Sequence, residues 1–150
     1  MPGALYSVGY EGLEQSDFVR LLVDCGVRLV VDVRLNAVSR KRGFSKTALA
    51  AAMRTVGVEY RHEPSLGNPV ANRTAFSREE HDEAAGRVRL RIASEGADAI
   101  DRLASEAAVL PIAVMCVEED ERRCHRHVVL ELVRERVSPI EVIRLRRAVR

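Results

Sequence analysis

The feature that most constrains this chain is an alternation of two periods. Leu5 to Val8, Val27 to Val33, Val58 to His62 and Leu110 to Val117 are short runs with strand character. Between them lie longer stretches in which apolar residues return at helical spacing. Ser16 is placed to cap a helix with Phe18, Leu21, Leu22 and Cys25 on one face, stopped at Gly26. Ser45 is placed to cap a second, with Leu49, Ala52, Met53 and Val56 as its stripe and Gly57 at its end. Pro64 to Pro69 reads as a loop, and Ser77-x-x-Glu80 as a capping box that opens helical chain to about Ala108, with a break at Gly96. Cys124 or His125 begins a last helix with Val129, Leu132 and Val133 inward. Ser138-Pro139 breaks it, and Ile140 to Leu145 alternates like an edge strand.

Strands separated by helices require a mostly parallel sheet, because parallel neighbours are joined only by crossovers. The expectation is one α/β domain over residues 1–150, Rossmann-like, with helices on both faces of the sheet. The chain has 47% hydrophobic and 31% charged residues, the balance of a chain that buries a core. No apolar run approaches the ~20 residues of a membrane span, and the first residues lack the charged and apolar regions of a signal peptide. A cytoplasmic location is expected, with no membrane partner. Three cysteines in such a chain do not suggest a disulfide framework.

In open parallel sheets, ligands bind outside the carboxyl ends of the strands. That rule gathers residues far apart in sequence onto one rim. Gly9, Tyr10, Glu11 and Gly12 follow the first strand. Asp32 and Arg34 end the second, with Asn36 and Ser39 beyond. His62 ends the third. Cys116 and Glu118 end the fourth, with Cys124, His125 and Arg126 at the next helix start.

Several of these stretches occur together as a pattern: Val8-Gly9-Tyr10-Glu11-Gly12, Val31-Asp32-Val33-Arg34 with Asn36, Ser39, Gly43-Phe44-Ser45-Lys46, Leu66-Gly67, Met115-Cys116-Val117-Glu118 and Cys124-His125-Arg126. In order and spacing, over nearly the whole chain, this resembles the DUF488 family. The resemblance implies the family's fold and places these residues at its site, but it implies no reaction, because the family's function is unknown. The family's usual proline and second glycine are replaced here by Ala37 and Asn68.

The residue types allow several chemistries. A thiol at a helix N-terminus is acidified by unpaired N–H groups and the helix dipole, which singles out Cys124 as a nucleophile. Cys116 is either a second reactive thiol or a packed core residue. Asp32 and Glu118 are candidate acid–base groups, although Asp32 fits a role of holding Arg34 or Arg126 somewhat better. Arg34 and Arg126 suit bidentate binding of phosphate or carboxylate. Gly9, Tyr10, Glu11, Gly12, Asn36, Ser39, His62 and His125 complete the expected substrate-binding set. No metal or other cofactor is expected. Cys116, Cys124, His125 and His62 could supply four ligands, but the eight-residue gap and the adjacency of Cys124 and His125 disfavour a zinc site.

The leading reading is an enzyme acting on a phosphate- or nucleotide-containing substrate, with a cysteine- or carboxylate-based step. One alternative is a non-catalytic module that binds a nucleotide or nucleic acid through the basic segment from Arg34 to Lys46. Net charge of only +2 and 4% aromatic residues weigh against nucleic acid. The other alternative is a redox sensor using Cys116 and Cys124, which requires their sulfurs to meet.

Overall fold

The computed structural model describes residues 3–77 and 80–146, for Ser77 the backbone alone. Its elements are β1 (Ala4–Gly9), α1 (Gln15–Asp24), β2 (Leu29–Asp32), α2 (Lys46–Thr55), β3 (Glu59–His62), α3 (Val70–Ser77), α4 (His81–Arg91), α5 (Ala97–Ala107), β4 (Pro111–Cys116), α6 (Arg126–Arg136) and β5 (Val142–Leu145). One five-stranded sheet runs in the order β3-β2-β4-β1-β5, and every pairing is parallel. The chain skips a place between β1 and β2, and β4 later fills it. That insertion puts β4 against both β1 and β2, which is where a doubly wound sheet opens a crevice.

The strand side chains alternate between two cores. Leu29, Val31, Val33, Ile112, Val114 and Cys116 face one way, against Ile100, Leu103, Val129 and Val133 of α5 and α6. Val8, Val30, Ala113 and Met115 face the other way, against Phe18, Leu22, Leu49 and Met53 of α1 and α2. β4 is covered on both faces, and from Ile112 to Cys116 it is buried throughout. Each fully buried Leu, Val or Phe contributes about 1.5–3 kcal/mol relative to its exposed state, so this double core sets the strand register.

The structure corrects several local expectations. Glu14, not Ser16, is the N-cap of α1, and it makes no side-chain cap bond. The Gln15 amide instead donates to the Gly43 carbonyl at 2.7 Å, tying α1 to the loop before α2. Ser45 is the N-cap of α2, but its hydroxyl serves Ser39: it accepts from Ser39 N at 3.0 Å and donates to Ser39 O at 3.2 Å. The largest difference is α3, a stretch to which the sequence patterns assigned no element. Val70–Ser77 is helical, so Ser77 ends a helix and Glu80 is the N-cap of α4. Arg78, Glu79 and the Ser77 side chain, on which the expected capping box depends, lie outside the described residues. The break expected at Gly96 is a π-helical turn over Ile92–Gly96. Among the described residues, no helix is long and apolar enough to cross a membrane.

Candidate functional site

The register brings the expected rim together. Gly9 pairs with Cys116, Asp32 with Met115 and Asp32 with His62, so the carboxyl ends of β1, β2, β3 and β4 are level. Two assemblies stand on this rim, each built around a buried arginine.

At the end of β2, Arg34 folds back on Asp32. Its Nε donates to Asp32 Oδ1 at 2.9 Å and its Nη2 to Oδ2 at 2.7 Å, while its backbone N–H donates to Oδ1 at 3.1 Å. Nη1 donates to the Phe44 carbonyl at 2.7 Å and the Tyr10 hydroxyl at 3.3 Å. Tyr10 stacks on Phe44 with centroids 4.3 Å apart, and the guanidinium lies 5.4 Å from the Tyr10 ring centre. Asp32 is wholly buried and also accepts from the Tyr60 hydroxyl. Burial and then the charge of Asp32 push the Tyr60 phenol up, so it stays a donor. His62 Nε2 is 2.6 Å from the Arg34 carbonyl, which fixes that nitrogen as the protonated one. Burial works against the Arg34 charge, but the hydrogen bonds and charge of Asp32 outweigh it and leave the group more firmly protonated than an ordinary arginine.

At the end of β4 stand the sulfurs. Cys116 and Cys124 are 1% and 3% exposed. The structure pairs their sulfurs as a disulfide, which the cysteine count alone did not suggest, and their Cα atoms are 7.6 Å apart, wider than the ~4.4–6.8 Å of a relaxed disulfide. Arg126 Nη1 donates to Cys116 Sγ at 2.8 Å, and the Arg126 backbone N–H reaches Cys124 Sγ at 3.4 Å. Cys124 thus sits at the free N–H groups of α6. Glu118 Oε2 is 3.5 Å from Cys116 Sγ. His125 Nε2 is 2.7 Å from the Val33 carbonyl and so carries the proton, while Nδ1 stands 3.5 Å from Cys124 Sγ. Burial lowers the His125 pKa to about 4, partly opposed by the Val33 bond, so the ring is neutral at pH 7 with a lone pair toward sulfur.

Arg126 differs from its expected role as a ligand anchor. It is 1% exposed, and its remaining donors go to Ser7 Oγ at 2.8 Å, Glu118 O at 2.8 Å and Glu119 O at 3.1 Å. Burial lowers its pKa to about 10, against the opposing pull of Glu121, Glu118 and Asp120. Ser7 passes the link on, donating to buried Glu121 at 2.7 Å. Arg126 therefore clamps the loop after β4 to β1.

A pocket of about 130 Å³ opens between the two assemblies. It is lined by Tyr10, Arg34, Asn36, Cys116, Glu118, Cys124 and His125 of the expected set. Asp32, His62 and Arg126 stand behind the wall and hold wall residues. A Cβ at Gly9 would lie 1.8 Å from the Glu118 carbonyl, so this glycine makes room for the protein's own loop and not for a ligand. Glu11 accepts from Glu119 N at 3.2 Å and braces the same loop, while Gly12 is an exposed turn residue. Ser39 accepts from Lys41 N at 3.1 Å within the loop before α2, away from the pocket wall.

Other residues of the wall lie outside the expected set. Arg73 and Phe76 come from α3, Asn68 from the turn before it, and Arg123 from the 3-10 turn Glu121–Arg123. Asn68 is 4% exposed and accepts from Asn72 at 2.9 Å. Gly67 lets that turn approach closely, since a Cβ there would lie 2.6 Å from Leu35 Cα. Once α3 is seen as a helix, Arg73 and Phe76 lie one turn apart on one face; the basic Arg122-Arg123 pair was the other available signal.

No curated protein matches the chain. The family model described as "Domain of unknown function DUF488" matches residues 13–133, most of the chain, and the protein belongs to that family.

Proposed function

We propose that the protein is an enzyme acting on a small anionic substrate, phosphate- or nucleotide-containing, in the pocket at the strand ends. The observation that carries this reading is the composition of one wall. Arg34, Arg73 and Arg123 border the same pocket as Cys116, Glu118 and Cys124. The arginines supply charge-assisted donors for an anion. The sulfurs and the carboxylate supply the reacting groups, with Cys124 at a helix start beside a neutral imidazole lone pair. That pairing follows the general form of an activated thiol, in which the histidine is itself oriented by a third group; the Val33 carbonyl is that group here. A pocket of about 130 Å³ is below the ~300 Å³ of a typical ligand site, so it fits a phosphate or one end of a larger molecule.

Arg40, Lys41 and Arg42 do not line this pocket, and Lys41 instead lies over the Phe44 ring at 5.6 Å. This supports a small ligand over nucleic acid. Contact between the Cys116 and Cys124 sulfurs supports a second reading, a thiol redox centre.

Calorimetric titration of the reduced protein with inorganic phosphate and with nucleoside monophosphates tests the proposal. Binding is expected, weakened about tenfold or more in Arg73→Ala and Arg123→Ala, and bound anion should slow alkylation of Cys124. No binding by either class of anion, and no protection of Cys124, would refute it.

A further inference from the structure

Three groups that are anionic when deprotonated converge at the end of β4. The sulfurs of Cys116 and Cys124 and a carboxylate oxygen of Glu118 all lie within 4.8 Å of one another. Cys116 is the last residue of β4, and Glu118 lies two positions beyond it, past a bend at Val117. The 3-10 turn Glu121–Arg123 then brings Cys124 back to them. Among the described residues the cation in contact with this group is Arg126, and it is shared with Ser7 and two carbonyls. Once the pair is reduced, one shared guanidinium against two thiolates and a carboxylate would leave an excess of negative charge in a place where both sulfurs are buried. Such a place requires either protonated thiols or a further cation.

In the reduced chain the spacing of the backbone suits a bridging cation better than a relaxed sulfur–sulfur bond. The Cα separation of 7.6 Å exceeds the disulfide range, so closing a relaxed disulfide would need the chain to move. Both ends are held: Cys116 O accepts from Tyr10 N at 3.2 Å, and Cys124 N donates to Glu121 O at 3.1 Å. The carboxylate is also unexplained by a disulfide, which has no use for a third donor.

We propose that Cys116, Glu118 and Cys124 bind a divalent transition metal, zinc by the softness of the two sulfurs, with the fourth position open to the pocket. This deepens the reading of the pocket as the working site by naming what sits at its centre. It also revises the ligand set the sequence suggested. His62 is committed to the Arg34 carbonyl on the far side of the pocket, and Glu118 takes the third place. Arg126 becomes the outer partner that orients Cys116 and supports its thiolate. The arginine-lined side of the pocket then presents an anion's oxygen to the open position.

The test uses the full chain, reduced with a phosphine, stripped with a chelator and titrated with Co²⁺ followed by Zn²⁺. The proposal predicts one equivalent of cobalt, a thiolate-to-cobalt charge-transfer band in the near ultraviolet, tetrahedral visible bands, and displacement by one equivalent of zinc. Cys116→Ser and Cys124→Ser should each diminish the charge-transfer band. Cys25→Ser should leave it intact. Because Glu118 is only half-buried, Glu118→Gln tests the site with little risk to folding, and should keep the charge-transfer band while weakening zinc at least about tenfold. A reduced chain with native circular dichroism and no charge-transfer band would overturn the proposal. So would unchanged zinc affinity in Glu118→Gln, or conversion of both thiols to one disulfide without metal uptake. Phosphate binding is measured separately on the metal-free and zinc-loaded protein. Cobalt uptake without phosphate binding in either form defeats the anion reading alone, and phosphate binding without cobalt uptake defeats the metal site alone.

Discussion

Arg34 and Arg126 stand on the same rim, 5% and 1% exposed, and each is surrounded differently. Arg34 is neutralised by a carboxylate, Asp32, that touches it through three side-chain hydrogen bonds and nothing from solvent. Arg126 has no carboxylate in direct contact: it meets a sulfur, a hydroxyl and two carbonyls, with Glu121 one hydroxyl further away. The first arrangement is closed. Its charges cancel, and it borders the pocket as a fixed piece of wall. The second is open. Its partners include a cysteine sulfur, so its charge balance depends on whether the two sulfurs are joined, protonated, deprotonated or bound to something. A binding wall should resemble the first assembly and a reacting centre the second.

The comparison is broken most directly by removing Asp32. Asp32→Ala leaves Arg34 buried without its counter-ion, which costs about 3–5 kcal/mol of stability in urea unfolding. Arg126→Met keeps the length of the side chain and leaves no buried carboxylate in direct need, only four orphaned acceptors of which one is a weak sulfur, so its expected cost is smaller, about 1–3 kcal/mol. The reverse order would show that Arg126, not Arg34, carries the indispensable charge.

His125 sharpens the comparison through pH. Its folded pKa is lowered to about 4 by burial, whereas the unfolded side chain titrates near its ordinary 6.5. The unfolded state therefore takes up a proton as pH falls through 6.5, and the folded state does not until about 4. Stability contributed by the neutral ring is present above the unfolded value and is lost as pH falls, by about 2 kcal/mol between pH 7 and pH 5. His125→Gln should flatten that part of the stability–pH curve. An unchanged curve would mean that the imidazole beside Cys124 is already protonated in the fold.

Smaller effects follow at the edges of the two assemblies. Tyr60→Phe removes one hydroxyl from Asp32 and should cost about 1 kcal/mol without changing anion binding. Arg73→Ala and Arg123→Ala, both exposed, should change unfolding stability by less than about 0.5 kcal/mol while weakening anion binding. A stability loss as large as that of Tyr60→Phe would mark them as structural.

The sheet was legible because its strands have a period of two or none and its helices have a period near four. Those patterns reflect burial, and burial decides register. The rim followed from topology once the strands were placed. What stayed hidden was direction. The letters Cys124-His125-Arg126 place a charge at a helix start, but only the packing of α6 turns that guanidinium inward onto the loop after β4. Asp32 was ambiguous for the same reason, and the fold turns it onto Arg34 and Tyr60. α3 was obscured by the prolines and polar residues around it, and with it Arg73 and Phe76 dropped out of the expected wall. The meeting of Cys116 and Cys124 depends on the 3-10 turn between them, which has no periodicity to read.

A chemically active thiol centre at the end of β4 has a signature in its own reactivity. Alkylation of the reduced, chelator-treated protein by iodoacetamide across pH, with each cysteine followed by mass spectrometry, tests it most directly. Cys25 is the internal reference, since burial and the charge of Asp24 raise its pKa. The account predicts that Cys124 reacts faster than Cys25 and with an apparent pKa below the ~8.5 of a free thiol. Cys25 reacting first, or Cys124 titrating at or above that value, would contradict it.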